Sequence, residues 1–217
     1  MKNTIVYIDG YNLYYGLLKG TSYKWLDLAR FAKELVGEDH NVLAVKYFTS
    51  WVKPHPYDHA AVERQNLYLQ AIGGAEAVET TLGFYSKRKK LLPAVEESCK
   101  SCSSAEGGFV RAVVLEEKRT DVNMAVAMVV DAARPEVDCV AVITGDSDQI
   151  GAIEAVRYTY GKKALVFNPH VAFSESLKKV SSYYKQIPRD LPARCQLPEE
   201  LPVGTRGNVI RRPEAWK

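Results

Sequence analysis

The chain has 217 residues, 47% of them hydrophobic and 25% charged, with a formal net charge of +3. That length can bury the core of one domain, and the ordinary composition excludes disordered, fibrous and disulfide-scaffold classes. A mild positive balance permits nucleic-acid binding without arguing for it, so that case rests on local clusters.

Thr4 to Ile8 (TIVYI) is apolar on both faces and stops at Asp9-Gly10, as a strand buried on both sides does. The run is too short for a signal-peptide core, and no later stretch has the length of a membrane span; no membrane partner and a cytoplasmic location follow as expectations. Asn12 to Leu18 has helical character, and Trp25 to Val36 is a clearer helix with Leu26, Ala29, Phe31, Ala32 and Leu35 as its apolar positions. Asn41 to Thr49 reads as a second strand. A loop holding Pro54 and Pro56 leads to a helix from about Tyr57 to Ile72, closed by Gly73-Gly74, and Ala77 to Tyr85 is a third strand.

Residues 87 to 108 break the rhythm, with Lys87-Arg88-Lys89-Lys90, Pro93, Cys99, Cys102 and a Gly-Gly turn, and read as an irregular exposed insertion. Phe109 to Leu115 returns as a strand, antiparallel to its neighbour in one reading. In the helix Asp121 to Ala133, Val122, Ala125, Val126, Val129, Val130 and Ala133 fall at the spacing of a buried stripe. Asp138 to Thr144 (DCVAVIT) is another fully buried strand, Gln149 to Tyr160 a helix, Lys163 to Phe167 a strand, and Ser174 to Tyr184 a final helix. From Ile187 on, five prolines argue against regular structure, so residues 187–217 read as a tail, linker or strap appended to a domain over 1–186. Alternation of strand and helix predicts an α/β fold: a mainly parallel central sheet between two helical layers.

In such sheets the reactive site lies beyond the carboxyl ends of the strands. Asp9 follows the first strand, and Gly145-Asp146-Ser147-Asp148 follows the strand DCVAVIT. Asp121 opens a helix feeding that strand, and a feeding helix runs antiparallel to it, so Asp121 belongs at the same edge. Clustered carboxylates repel and raise one another's pKa unless a cation intervenes. Hard cations such as Mg²⁺ or Mn²⁺ take a few carboxylates and keep positions for water and phosphate oxygens. Taken singly, Asp9-Gly10 also reads as a tight turn, and Asp121, Asp146 and Asp148 as helix caps. Asn12 reads as a cap or as a polar ligand that holds Asp9. The four histidines are scattered, and none lies near an acidic motif in sequence.

At Tyr7-Ile8-Asp9-Gly10-Tyr11-Asn12-Leu13, Glu117-Lys118-Arg119-Thr120-Asp121-Val122 and Thr144-Gly145-Asp146-Ser147-Asp148 the chain resembles the NYN-domain proteins of the PIN-like nuclease superfamily, close to the LabA/DUF88 group. The resemblance runs from about residue 3 to 186. It implies a PIN-like, Rossmann-like α/β/α domain with an acidic pocket for Mg²⁺ or Mn²⁺ and metal-dependent ribonuclease activity. By the same resemblance Asp9, Asp121 and Asp146 take the places of metal-binding carboxylates, Asp148 a fourth acidic position and Asn12 a polar neighbour. Two departures stand out: Ser181-Ser182-Tyr183 where many relatives carry a further aspartate, and Gln149 where many carry Phe. A non-catalytic module that binds RNA, a nucleotide or a protein is the alternative of another class. A phosphatase-type mechanism lacks the second acid it places two residues after the first.

Expected RNA contacts are Lys87, Arg88, Lys89 and Lys90 for the backbone, with Tyr11 and Tyr14, and also Tyr15 and Tyr85, for stacking on unpaired bases. Each has a bland reading as a solvated face or an ordinary tyrosine. Arg206, Arg211 and Arg212 form a second basic patch. Cys99 and Cys102 read as loop cysteines, a redox pair or part of a zinc site shared across a homodimer.

Overall fold

The computed structural model describes residues 1–53, 58–74, 78–93, 109–203 and 208–217. The chain enters its sheet at the centre. Strand β1 (Lys2–Asp9) lies between β2 (His40–Ser50) and β5 (Cys139–Ile143) and is parallel to both. Beyond β2 come β3 (Val78–Pro93) and the antiparallel β4 (Phe109–Lys118). Beyond β5 come β6 (Lys163–Asn168) and β7 (Tyr183–Gln186), giving the order β4-β3-β2-β1-β5-β6-β7.

Alternate side chains of the central strands serve opposite layers, as the two-residue period of a strand requires. Val6 and Ile8 pack with Trp25, Phe31 and Tyr68. That layer holds α1 (Gly10–Leu13, continued by a wider turn over Tyr14–Leu18), α2 (Leu28–Val36) and α3 (Ala61–Gly73). Ile5 and Tyr7 pack with Met124, Met128, Ile153 and Leu177. Those come from α4 (Thr120–Ala132), α5 (Ile150–Glu154) and α6 (Glu175–Val180) on the other face. The three-layer α/β/α arrangement is the one expected. No helix among the described residues is long and apolar enough to cross a membrane.

Several local expectations fail. Residues 87–93 are not an irregular insertion: they continue β3, and Lys87 to Pro93 pair with Leu115 to Phe109 of β4. The remainder of that stretch, with Cys99 and Cys102, lies outside the described residues. The last helix stops at Val180, and Tyr183 to Gln186 pair with β6 as a seventh strand, since Tyr184 can there pack against the sheet. In α4 only part of the predicted stripe turns inward: Ala125 and Val129 pack partly buried against the core, Val122, Val126 and Val130 face out at 55–65% exposure, and the fully buried positions are Met124, Met128 and Ala132.

The proline-rich segment is also regular in part. It forms α7 (Leu191–Arg194), with Pro192 in its first turn where no amide donor is needed, and a hairpin of β8 (Glu200–Val203) and β9 (Asn208–Arg211). Leu191, Cys195 and Ile210 join the core on the α2–α3 side. Trp216 packs against Trp25 and Tyr68, with ring centroids about 6 Å apart. Arg212 is tied into the fold by the Ser22 and Trp216 carbonyls and by Glu199, while Arg211 stays exposed in a surface pair with Glu200. Arg206 lies outside the described residues.

Candidate active site

The chain runs outward from β1 in two directions, through β2 and through β5, so the carboxyl ends of β1 and β5 flank the switch point where open sheets form a crevice. Asp9 sits there at the end of β1, 2% exposed, and caps α1. Its Oδ1 accepts from the Asn12 amide at 2.9 Å, and its Oδ2 from Asn12 Nδ2 at 2.6 Å and Thr144 Oγ1 at 3.1 Å. Burial raises the Asp9 pKa, the hydrogen bonds from Asn12 and Thr144 lower it, and the Asp146 charge adds to the rise. The net direction is upward.

Across the switch point, Thr144 Oγ1 accepts from the Asp146 amide at 3.1 Å, and Asp146 Oδ1 caps its own turn by accepting from the Asp148 amide at 2.9 Å. Asp121 stands in the first turn of α4. Its carboxyl is pushed up to about 6 by burial and by the charges of Asp9, Asp146, Glu117 and Asp148. The four aspartates singled out from the sequence therefore meet at one edge, with Asp148 exposed at its rim. Gln149 is fully buried, and its Nε2 donates to the Asp121 carbonyl at 3.2 Å. It ties the Asp146–Asp148 turn to the start of α4.

Two neighbours escaped the sequence reading. Glu117 lies inside one of the quoted motifs, so a signal existed. Its Oε1 accepts from Ser50 Oγ at 2.9 Å and from the Thr120 amide at 3.2 Å, fixing where α4 begins. Gly83 allows that knot: a Cβ there would stand 2.4–2.5 Å from Glu117, Thr120 and Ser50 oxygens. Arg119, just before, holds a left-handed φ of 81°, a strained turn-in to the helix. The other neighbour is His170. Asn12 Oδ1 accepts from the Gly145 amide at 3.1 Å and lies 2.9 Å from His170 Nε2, which must then be the protonated nitrogen. With 158 positions between them, only the fold joins the pair.

The fit to a divalent cation can be judged from the donors. They are all carboxylate oxygens, and the Asp121 carboxyl is raised first by burial and then by the neighbouring negative charges, the part that a hard cation would offset. Among the described residues no three Asp, Glu, His or Cys side chains close round one point. A hexacoordinate ion that keeps several waters fits such an open set.

Lys87, Arg88, Lys89 and Lys90 are not at the acidic edge. β3 leaves β2 after Gly83, and beyond it pairs, among the described residues, only with β4, so the two strands project past the sheet's carboxyl edge as an arm. At about 3.3 Å per residue the basic run lies roughly 13–23 Å along that arm from Gly83. Lys90 pairs with Glu116, while Lys87, Arg88 and Lys89 are exposed. Tyr11 bonds the Tyr85 hydroxyl at the base of the arm and stacks on Tyr15, with centroids 6.4 Å apart. Tyr14 meets Tyr15 edge-on at 5.1 Å. Under Tyr11 and Ser50 opens a cavity of about 400 Å³, separate from the aspartates.

The family model described as "NYN domain" matches residues 3–187. The chain is 29% identical to the 6-hydroxy-3-succinoylpyridine 3-monooxygenase HspA of Pseudomonas putida (strain DSM 28022 / S16), over 98% of this chain and 75% of that protein. Among solved structures it resembles a protein of unknown function from Vibrio parahaemolyticus RIMD 2210633. There the identity is 18% and the TM-score 0.49, over 87% of this chain and 94% of the other.

Proposed function

This chain belongs to the NYN domain family, and from that premise we propose that it is a divalent-metal-dependent ribonuclease cutting single-stranded or loop RNA. The observation that carries the reading is the convergence of Asp9, Asp121, Asp146 and Asp148 at the switch point of the sheet. Asp9, Asp121 and Asp146 would hold Mg²⁺ or Mn²⁺. Such an ion lowers the pKa of water and offsets charge that develops on phosphate oxygens.

The chain's own residues have distinct parts to play. Asn12 holds both oxygens of Asp9 in one orientation, and Thr144 links Asp9 to the Asp146 amide. His170 in turn fixes Asn12. Asp148, exposed at the rim, is the group that orients an attacking water or serves as a fourth ligand. Lys87, Arg88 and Lys89 on the projecting arm supply backbone contacts away from the cut, a sequence-independent attraction that weakens as salt rises. Tyr11 and Tyr14 offer ring faces for bases.

The test is cleavage of end-labelled RNA with Mn²⁺ or Mg²⁺, comparing the parent with Asp146→Asn. Loss of a metal-binding carboxylate should slow cleavage by about 100-fold or more. Equal rates would overturn the assignment.

A second reading has its own support in the 400 Å³ cavity and in the Pseudomonas relative, whose name describes oxygenation of a substituted pyridine. Carried to this chain, it makes the cavity a site for a small heteroaromatic substrate. Oxygen uptake on adding 6-hydroxy-3-succinoylpyridine and an electron donor, with no RNA cleavage under any metal, would favour it over the nuclease.

A further inference from the structure

The cavity beneath Tyr11 is walled largely by aromatic rings, with Lys24, Arg64 and Asp58 as its charged residues. Tyr14 and Tyr15 come from the turn after α1, Tyr47 from β2, Tyr68 from α3 and Trp216 from the segment that packs back on α3. Gly10 lets α1 close on β2, because a Cβ there would stand 2.8 Å from the Phe48 carbonyl and 2.9 Å from the Tyr47 ring. The polar groups of the wall are largely spoken for. Tyr68 donates to the Leu26 carbonyl at 2.9 Å, and Gln65 bridges Ser50 O and the Val52 amide at 2.8 and 2.7 Å. The rings already meet one another, Tyr14 edge-on to Tyr15 and Trp216 edge-on to Tyr68, so what the wall turns to the cavity is aromatic surface.

Two cations reach the same space. Arg64 is paired with Asp58. Lys24, half-buried, lines the cavity too and has no ion-pair partner among the described residues. Burial and the Arg64 guanidinium lower its pKa, and Asp58 only partly restores it. Among the described lining residues two cations face one carboxylate, so an added anion would meet a partly desolvated Lys24 ammonium that has no ion pair of its own there. Charge-assisted hydrogen bonds in such a setting are among the stronger ones available.

We propose that this cavity binds a planar aromatic ring carrying an anionic arm, the ring lying among Tyr14, Tyr15, Tyr68 and Trp216 and the arm reaching Lys24 beside Arg64. None of the four aspartates lines this cavity, so the site is independent of the nuclease reading, and its free-acid form deepens the second reading by naming the groups that would hold the ligand. The ring and arm can come from two sources, a nucleotide with its phosphate or a free aromatic carboxylic acid, and both offer the same recognition elements.

Calorimetric titration of the full chain distinguishes them. The probes are adenosine 5′-monophosphate against adenosine, and pyridine-3-carboxylate against its neutral amide, in EDTA. At least one anion should bind about tenfold or more tightly than its neutral partner. A preference in the nucleotide pair alone assigns the nucleotide source, and one in the pyridine pair alone the free acid. Lys24→Met keeps the alkyl stem and should erase the preference with no change in Tm. Tyr14→Leu, at a half-exposed position, should weaken the charged and neutral probes alike. Asp146→Asn should bind as the parent does. No preference in either pair, or full preference retained in Lys24→Met, would overturn the proposal. So would loss of binding in Asp146→Asn, which would move the ligand to the acidic edge. Selective binding without RNA cleavage would leave the cavity assignment standing and remove the nuclease.

Discussion

Asp131 shows how one buried charge is made tolerable. It lies on the sheet side of α4, accepting from Tyr7 at 2.6 Å and from Lys46 at 2.7 Å, with Arg134 at 3.3 Å. Burial acts to raise its pKa, but the Lys46 and Tyr7 hydrogen bonds and the Lys46 charge more than offset that and hold it below the usual carboxylate range. A depressed folded-state pKa means the stabilisation is complete above the unfolded value and is lost as pH falls through the folded one. Lys46→Met should therefore destabilise the protein by about 1–3 kcal/mol at neutral pH, and the deficit should shrink below about pH 4. Urea unfolding at both pH values checks this; an undiminished deficit in acid would refute it. At the same scale, the sequence revealed Asp9, Asp121, Asp146 and Asp148 because each follows or opens an element whose direction the α/β alternation dictates. It concealed His170, which joins through a loop after β6 that carries no periodic signal.

At the scale of elements, α4 is where pattern alone misled. Val122, Val126 and Val130 repeat every four residues, and so do Met124, Met128 and Ala132. Both series satisfy a helical period, so apolarity cannot choose between them. What decides is Asp131, whose partners Tyr7 and Lys46 stand on the sheet: the face that carries it turns inward and brings the methionines along. Met128→Ala should then cost about 2–5 kcal/mol, while Val126→Ser should stay within about 0.5 kcal/mol. Chemical denaturation of the two variants measures this, and a reversed ranking would put the valines back in the core. The misread basic run has a similar cause. Lys87 to Lys90 looks like a loop by composition, yet a ribbon with both faces toward solvent has no apolar alternation to display. Ser181-Ser182 broke the final helix for a simpler reason, as Ser182 is drawn to β6, its Oγ accepting from the Ala164 amide at 3.1 Å.

For the whole molecule, the segment from Ile187 onward behaves as part of the core on the α2–α3 side. Its backbone is stitched to the stretch before α2, with Leu197 N donating to Trp25 O, Asp27 N to Cys195 O, and Trp25 Nε1 to Pro198 O at 2.8–2.9 Å. Ile187, Leu191, Cys195 and Ile210 are each at most 7% exposed. At roughly 1–2 kcal/mol for each buried side chain, removal of residues 187–217 should cost on the order of 5 kcal/mol. Calorimetry would show a markedly lower Tm, and an unchanged Tm would mean the segment is dispensable. Prolines hid this from the sequence because they mark broken backbone hydrogen bonding without saying what the side chains between them cover.

The central position of β1 has a further consequence, which concerns time. Its Thr4–Ile8 stretch is buried to within 1% of completely, yet one of its two partners, β5, arrives some 135 positions later: Thr4 pairs with Cys139 and Ile8 with Ile143. A chain leaving the ribosome in order carries that sticky strand half-paired with β2 until β5 emerges. The cost of closing so long a loop precedes any reward from the pairing, which puts folding in the slow class of high contact order. Until that closure the acidic edge is also incomplete, because Asp9 waits on one strand and Thr144 and Asp146 on the other.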